Sequence, residues 1–268
     1  MIETAKIIET AKEAVISAGR IIKDRLGSTF CTEFKSCPAD LVTEVDRQSQ
    51  EVILNCLRKA YPDHIFIAEE DFKGESITLD NRPVWFIDPL DGTTNFVFGI
   101  PLCAVTAALT VSGKPVAGVT YDPFREELYT AARGMGAFRN DFRINVDISR
   151  SRVEQSLIAT GFPSSDSFKD EMWKADFKKM FYNPLNLRAF GSAALELAYI
   201  ASGRLTGYWE VMLKPWDVAA GILLVEEAGG KVSDLSGNTL KLGNYVSIVA
   251  SNSLIHDEMI NMLGFNNR

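Results

Sequence analysis

Apolar positions in the first sixty residues recur at helical spacing. Ile7, Ala11, Ala14, Ala18, Ile21 and Ile22 share one face, which predicts an amphipathic helix over residues 3–26 with Gly27 as its stop. Cys31–Cys37 reads as a loop or short strand. A second helix is expected from Thr43, with Val45, Val52, Ile53, Cys56, Leu57 and Ala60 on its apolar side and Pro62 marking its end. Asp46, three residues after Thr43, makes a variant of the capping box; its plainest role is a first-turn carboxylate favoured by the helix dipole.

Beyond residue 62 the pattern changes to strands. His64–Ala68 is a short strand running into Glu69-Glu70-Asp71. Val84-Trp85-Phe86-Ile87 is apolar without alternation, the mark of a buried strand. The polar stretch between them, Lys73–Pro83, is a loop or hairpin. Pro89 cannot continue a central strand, so a turn is expected just after Asp88. Strands at 103–111 and 115–121 flank the hairpin signal Ser112-Gly113-Lys114, and 127–131 adds a third. Gly134-Met135-Gly136 and Asn140-Asp141 punctuate further short strands, giving an antiparallel sheet.

Near residue 145 strands begin to alternate with helices. A strand at 156–161 exits through Pro163-Ser164-Ser165, followed by an aromatic-rich helix over 168–181. Arg188–Ala194 leads into a helix reaching Ser202, and a strand over 205–209 ends at Glu210. Lys214-Pro215-Trp216-Asp217 precedes an apolar helix through Leu224, stopped by Ala228-Gly229-Gly230. Strands at 232–234 and 245–250 and a helix at 254–263 complete the chain. The expected organisation is an N-terminal α+β lobe, 1–145, and a C-terminal α/β lobe, 146–268, in one compact catalytic unit.

Composition narrows the chemistry. With 46% hydrophobic and 24% charged residues, the 268-residue chain is not disordered. A net charge of −7 and the lack of a basic run argue against a nucleic-acid partner. No apolar run reaches membrane-spanning length, and the N-terminus is an amphipathic helix rather than a signal peptide. Cys31, Cys37, Cys56 and Cys103 lack paired spacing and read as reduced thiols of a cytoplasmic protein. His64 and His256 each stand alone, which supplies a histidine triad or zinc hydrolase poorly.

The stretch Val84–Asn95, VWFIDPLDGTTN, carries the strongest chemical signal. It sets Asp88 and Asp91 at the end of a buried strand, followed by Gly92 and two hydroxyls able to open a helix. Carboxylates and carbonyls suit Mg²⁺, while helix-start amides suit phosphate. Each acid also has an ordinary reading: Asp-Pro-Leu-Asp-Gly as a surface turn, Glu69-Glu70-Asp71 as a solvated face, and Asp217 as an N-cap. The small residues around Gly191-Ser192-Ala193 fit either a ligand's approach or tight helix packing. No P-loop string is present, and Asp91-Gly92-Thr93 lacks the second acid of an Asp-x-Asp-x-Thr phosphatase motif.

Glu69-Glu70, WFIDPLDGTTN and PWDVAAGILLVEEAGG together resemble the inositol monophosphatase family, the Mg²⁺-dependent, lithium-sensitive phosphatases that include fructose-1,6-bisphosphatases and nucleotide 3′-phosphatases. The resemblance covers essentially the whole chain. It implies a layered αβαβα sandwich of two lobes with the site between them. It also implies two or three Mg²⁺ held by Glu69, Asp88, Asp91, Asp217 and the carbonyl of Leu90. Thr93 and Asp46 would orient or activate the attacking water, with Glu70 contributing. The amides of Gly92, Thr93 and Thr94 would hold phosphate. Glu210 would bind substrate hydroxyls, and Arg188, Gly191, Ser192 and Ala193 would lie near the leaving group. The loop after Ser156 departs in detail from the animal enzymes. The implied substrate is a small phosphate monoester, first of all inositol 1-phosphate. Fructose 1,6-bisphosphate, a nucleotide 3′-phosphate and the 2′-phosphate of NADP are alternatives, as is a regulatory binding protein on the same fold. A homodimer is expected from the family alone.

Overall fold

The protein is described here by a computed structural model that covers residues 4–28, 32–34, 41–162 and 177–264. Helix α1, Thr4–Arg25, buries Ile7, Ala11, Ala14, Val15, Ala18 and Ile22 along one stripe. Each fully buried Ile or Val there contributes about 1.5–3 kcal/mol of transfer free energy. Two short antiparallel strands, β1 (Thr32–Phe34) and β2 (Leu41–Thr43), lead to α2, Glu44–Ala60. The capping box at its start is reciprocal: Thr43 Oγ1 accepts the Val45 amide, and Asp46 accepts the Thr43 amide.

A seven-stranded sheet follows, in the order β3 (Ile65–Ala68), β4 (Val84–Asp91), β5 (Ala104–Val111), β6 (Lys114–Asp122), β7 (Glu127–Ala132), β8 (Gly136–Arg139) and β9 (Phe142–Ile144). Only β3 and β4 run parallel; every other neighbouring pair is antiparallel. The sheet's two faces explain the unbroken apolar run in β4. Trp85 and Ile87 pack toward α1 and α2, while Val84 and Phe86 pack against a helix from the second half of the chain.

The expected turn after Asp88 is a bulge instead. Pairing of β4 with β5 lapses between Asp88 and Asp91 and resumes at Asp91 opposite Ala104. Pro89 sits in the lapse, where no ladder donor is required. Asp88 Oδ1 accepts the Leu90 amide at 2.9 Å and closes the bend locally.

The second half builds a five-stranded sheet in the order β11 (Asn186–Arg188), β10 (Leu157–Thr160), β12 (Gly207–Leu213), β14 (Val246–Ser251), β13 (Lys231–Ser233). No strand is shared between the two large sheets. The strand expected to end at Glu210 continues to Leu213, with a register shift beyond Glu210 where Met212 takes φ 60°. Between the sheets lie α5 (Ala193–Ala201) and α6 (Pro215–Glu227), packed so closely that a Cβ at Gly221 would come within 2.4 Å of Leu197. On the outer side are α4 (Phe177–Tyr182) and α7 (His256–Leu263). The layers therefore run helices, sheet, helices, sheet, helices. Pro163-Ser164-Ser165, Cys31, Cys37 and the first part of the aromatic-rich segment lie outside the described residues. No helix among those described is long and apolar enough to cross a membrane.

Candidate active site

The parallel register of β3 and β4 sets Ala68 opposite Ile87, so Glu69 and Asp88 follow side by side at the same end of the two strands, Asp88 still paired with Thr106 of β5. Glu69 lies in a single 3-10 turn, Glu69–Asp71. Asp88 is almost sealed, with 2% of its surface exposed. Burial drives its carboxyl well above the ordinary value, and Glu69, Asp91 and Asp217 push it further; the Leu90 amide opposes them. Asp217 is raised well above its usual value in the same way, by burial and then by Glu69 and Asp91. Asp91 rises to about 6, mainly through burial, against the pull of donors from Ser192 and the start of α5. Acids from three distant segments thus act on one another in one cleft.

Asp91 joins the two halves of the chain. Its Oδ2 accepts Ser192 Oγ–H at 2.5 Å and the Ala194 amide at 2.8 Å, at the positive end of α5. Nearby, Asn95 Nδ2 donates to the carbonyls of Leu102 at 2.8 Å and Phe190 at 2.7 Å, a second tie between the halves. Gly92 follows Asp91 at φ 92°, and a Cβ there would meet the Leu102 carbonyl oxygen at 2.8 Å and the Gly191 carbonyl oxygen at 3.2 Å. Only glycine meets both demands. It opens α3, Thr93–Val97, a single turn without a side-chain cap whose first amides have no intrahelical acceptor.

Thr93 Oγ1 lies 3.1 Å from Asp46 Oδ1 and 3.0 Å from the Leu90 carbonyl oxygen, both acceptors of its one proton. Asp46 Oδ2 is held by the Thr43 amide at 2.8 Å and its hydroxyl at 2.5 Å. The capping carboxylate of α2 is therefore also the partner of Thr93. Asp217 is not the N-cap of α6. It stands in the first turn and reaches back to accept the Lys214 amide at 2.8 Å.

Glu210 closes the opposite wall. Tyr208 donates its hydroxyl to Glu210 Oε2 at 2.5 Å. Burial raises the Glu210 carboxyl to about 7, although Tyr208 works in the other direction. Glu196, 1% exposed, accepts the Phe190 amide at 2.8 Å; burial and then Glu210 lift it well above the ordinary range.

Two expected contributors, Glu70 and Arg188, make these contacts. The Glu70 amide is held by Gln50 Oε1 at 2.9 Å, and its carboxylate acts on Arg47. Arg188 bonds locally, to Asn186 Oδ1 and the Leu187 carbonyl. The histidines are structural: His64 Nδ1 accepts the Trp85 indole N–H, and His256 is enclosed by Ser233 and Ser251. Cys56 and Cys103 are free thiols. Asn95, Glu196 and Tyr208 were given no role by the sequence reading. Tyr208 was findable, two residues before Glu210 and so on the same strand face, and Glu196 is the lone charge in an otherwise apolar helix.

The donor set suits a hard divalent cation. It is all oxygen, and burial, with the neighbouring acids adding to it, raises Asp88 and Asp217 in a way that bound positive charge would relieve. Among the described residues, no three Asp, Glu, His or Cys side chains are drawn together into a finished ligand shell. The carboxylates act on one another electrostatically without closing into such a shell.

Comparison with known proteins agrees with this architecture. The family model described as "Inositol monophosphatase family" matches residues 3–266. "Nus factor SuhB" of Salmonella typhimurium is 44% identical over 261 residues, covering 95% of this chain and 94% of that protein. "Inositol-1-monophosphatase" of Mesorhizobium japonicum is 39% identical over 255 residues, with the same coverage of 95% and 94%. The crystal structure of extragenic suppressor protein suhB from Bartonella henselae superposes with a TM-score of 0.87 at 40% identity, covering 97% of this chain and 99% of that one. A match of that extent, over a fold layered as found here and a cleft lined with these acids, places the chain in the inositol monophosphatase family, as a phosphatase of that type.

Proposed function

We propose that the protein is a Mg²⁺-dependent phosphomonoesterase acting on a small phosphorylated polyol, with inositol 1-phosphate as the leading substrate. The observation that carries this reading is the gathering of acids from three segments: Glu69 and Asp88 follow aligned residues of β3 and β4, Asp91 is bonded to Ser192 and Ala194, and Asp217 opens the neighbouring α6. These side chains, with the Leu90 carbonyl, would hold two or three ions. Bound there, Mg²⁺ supplies Lewis-acid stabilisation of the phosphoryl charge and makes water more acidic.

The remaining work falls to the chain. The Thr93 proton is committed to Asp46 or to Leu90, so the hydroxyl offers the cleft lone pairs only. It accepts a hydrogen from the attacking water and aims that water's oxygen at phosphorus. The first amides of α3, from Gly92, Thr93 and Thr94, hold the phosphate oxygens at a helix start. No residue is asked to become a covalent nucleophile. Glu210 Oε2 is taken by Tyr208, which leaves Oε1 to accept a hydroxyl of the leaving polyol. The 39%-identical relative bearing the name inositol-1-monophosphatase supports the choice of polyol. Pairing into a homodimer belongs to the same proposal and rests on the family alone; a monomeric mass in sedimentation would remove it without touching the chemistry.

The test is phosphate release from inositol 1-phosphate, fructose 1,6-bisphosphate, a nucleoside 3′-phosphate and NADP, with and without Mg²⁺. Fastest release from inositol 1-phosphate, abolished by chelation, is expected. The name Nus factor on a 44%-identical relative favours one second reading, a regulatory binding role on this fold. Absence of turnover on the whole panel, with retained binding to a protein or RNA partner, would select it.

A further inference from the structure

We propose that Gly161 and Tyr208 are positioning residues that fix the Glu210 carboxylate, and that this pair sets the cleft's preference for polyol leaving groups. The proposal rests on the polyol reading above.

The geometry is that of a seat with a floor and two sides. Strands β10 and β12 lie side by side in parallel, with Thr160 opposite Trp209. The next residue of each strand is therefore Gly161 beside Glu210. A Cβ on Gly161 would stand 2.0 Å from Glu210 Oε2, 2.2 Å from Cδ and 2.3 Å from Oε1. All three distances are far inside contact, so the carboxylate occupies the volume that any other residue at 161 would fill. The Gly161 backbone is not in the left-handed region. What requires glycine here is the neighbour's carboxylate, not the chain's conformation.

Tyr208 supplies the first side. It is fully buried, and its hydroxyl donates to Oε2 at 2.5 Å. Glu196 supplies the second, a buried carboxyl close enough to Glu210 for the two to interact. The Glu196 carboxyl is itself held by the Phe190 amide. With no side chain at 161 and Oε2 bound by Tyr208, the Glu210 carboxylate is held in place and Oε1 is left to accept a substrate hydroxyl. A hydroxyl-binding acid selects strongly for hydroxylated ligands only when it is fixed in this way.

A side chain at 161 collides with the end of a flexible side chain, not with backbone. The carboxylate moves and the fold survives. Gly161→Ala is therefore expected to melt within about 5 °C of the parent. Its effect should separate two esters. For inositol 1-phosphate, KM should rise about tenfold or more, because the hydroxyl acceptor has been displaced. For p-nitrophenyl phosphate, which presents no hydroxyls to Glu210, kcat/KM should stay within about twofold of the parent. Tyr208→Phe removes one hydroxyl and little volume, and should shift the same ratio the same way by about threefold. It keeps the test valid should Gly161→Ala fold poorly.

Equal losses on both esters, or no change in their ratio, would overturn the positioning roles. A parent enzyme that hydrolyses p-nitrophenyl phosphate but no polyol phosphate would overturn the underlying reading, and the proposal with it. That result would appear before any variant was made, so the two failures are distinguishable.

Discussion

Glu210→Gln should make the metal-free protein more stable at alkaline pH while harming its recognition of polyols. The Glu210 carboxyl is lifted from its usual 4.5 to about 7, first by burial, with Asp91 adding to the rise and Tyr208 opposing it. Below about pH 4.5 the group is protonated in both folded and unfolded chains and contributes nothing to stability. As pH rises toward 7 the unfolded chain gives up its proton first, so the fold loses stability relative to it; above 7 the loss is complete. A displacement of that size corresponds to about 3 kcal/mol, reduced to about 2 kcal/mol because the group keeps one side open to the cleft. Glutamine retains an oxygen to accept the Tyr208 hydroxyl and carries no charge, so it escapes the loss. Urea unfolding in chelator, followed by tryptophan fluorescence, should find parent and variant nearly equal at pH 4.5 and the variant ahead by about 2 kcal/mol at pH 8. An equal gap between the two proteins at both pH values would refute the reasoning, since it would mean that ionising Glu210 costs the fold nothing.

Asp91→Asn should lower phosphate release by orders of magnitude and leave the circular dichroism spectrum unchanged, because the amide oxygen can still accept from Ser192 and Ala194; undiminished release would remove Asp91 from the metal set. Gly92→Ala adds a left-handed alanine to a clash with two carbonyl oxygens, and chemical denaturation should show a loss of about 3 kcal/mol or more, with a loss under about 1 kcal/mol counting against the packing described. Millimolar Li⁺ should inhibit turnover, as the family resemblance implies, and full activity in its presence would argue against shared metal chemistry.

Local rules made much of this molecule legible. The second helix could be read from Thr43 and Asp46 because a capping box is written within four residues. The hairpins at Ser112-Gly113 and Asn140-Asp141 could be read because left-handed turns select few residue types, and those positions do take positive φ. The error at Pro89 came from treating a missing donor as a strand's end, when the partner strand could absorb it as a bulge. At Glu210 the strand likewise continues, through a second irregularity. Within the cleft, the acids stood out because their motifs are compact. The supports of Glu210 did not. Gly161 acts through an absent side chain and Glu196 through burial, and neither property is visible until the strands are laid side by side.

The bond from Ser192 to Asp91 also bears on how the chain is made. A ribosome delivers Glu69, Asp88 and Asp91 about a hundred residues before the hydroxyl and amide that receive Asp91, and earlier still than Asp217. During that interval the early acids have one another for company and no donor from α5. Translation therefore presents a half-built cleft whose charges resist closure, and the later segment must arrive to quiet it.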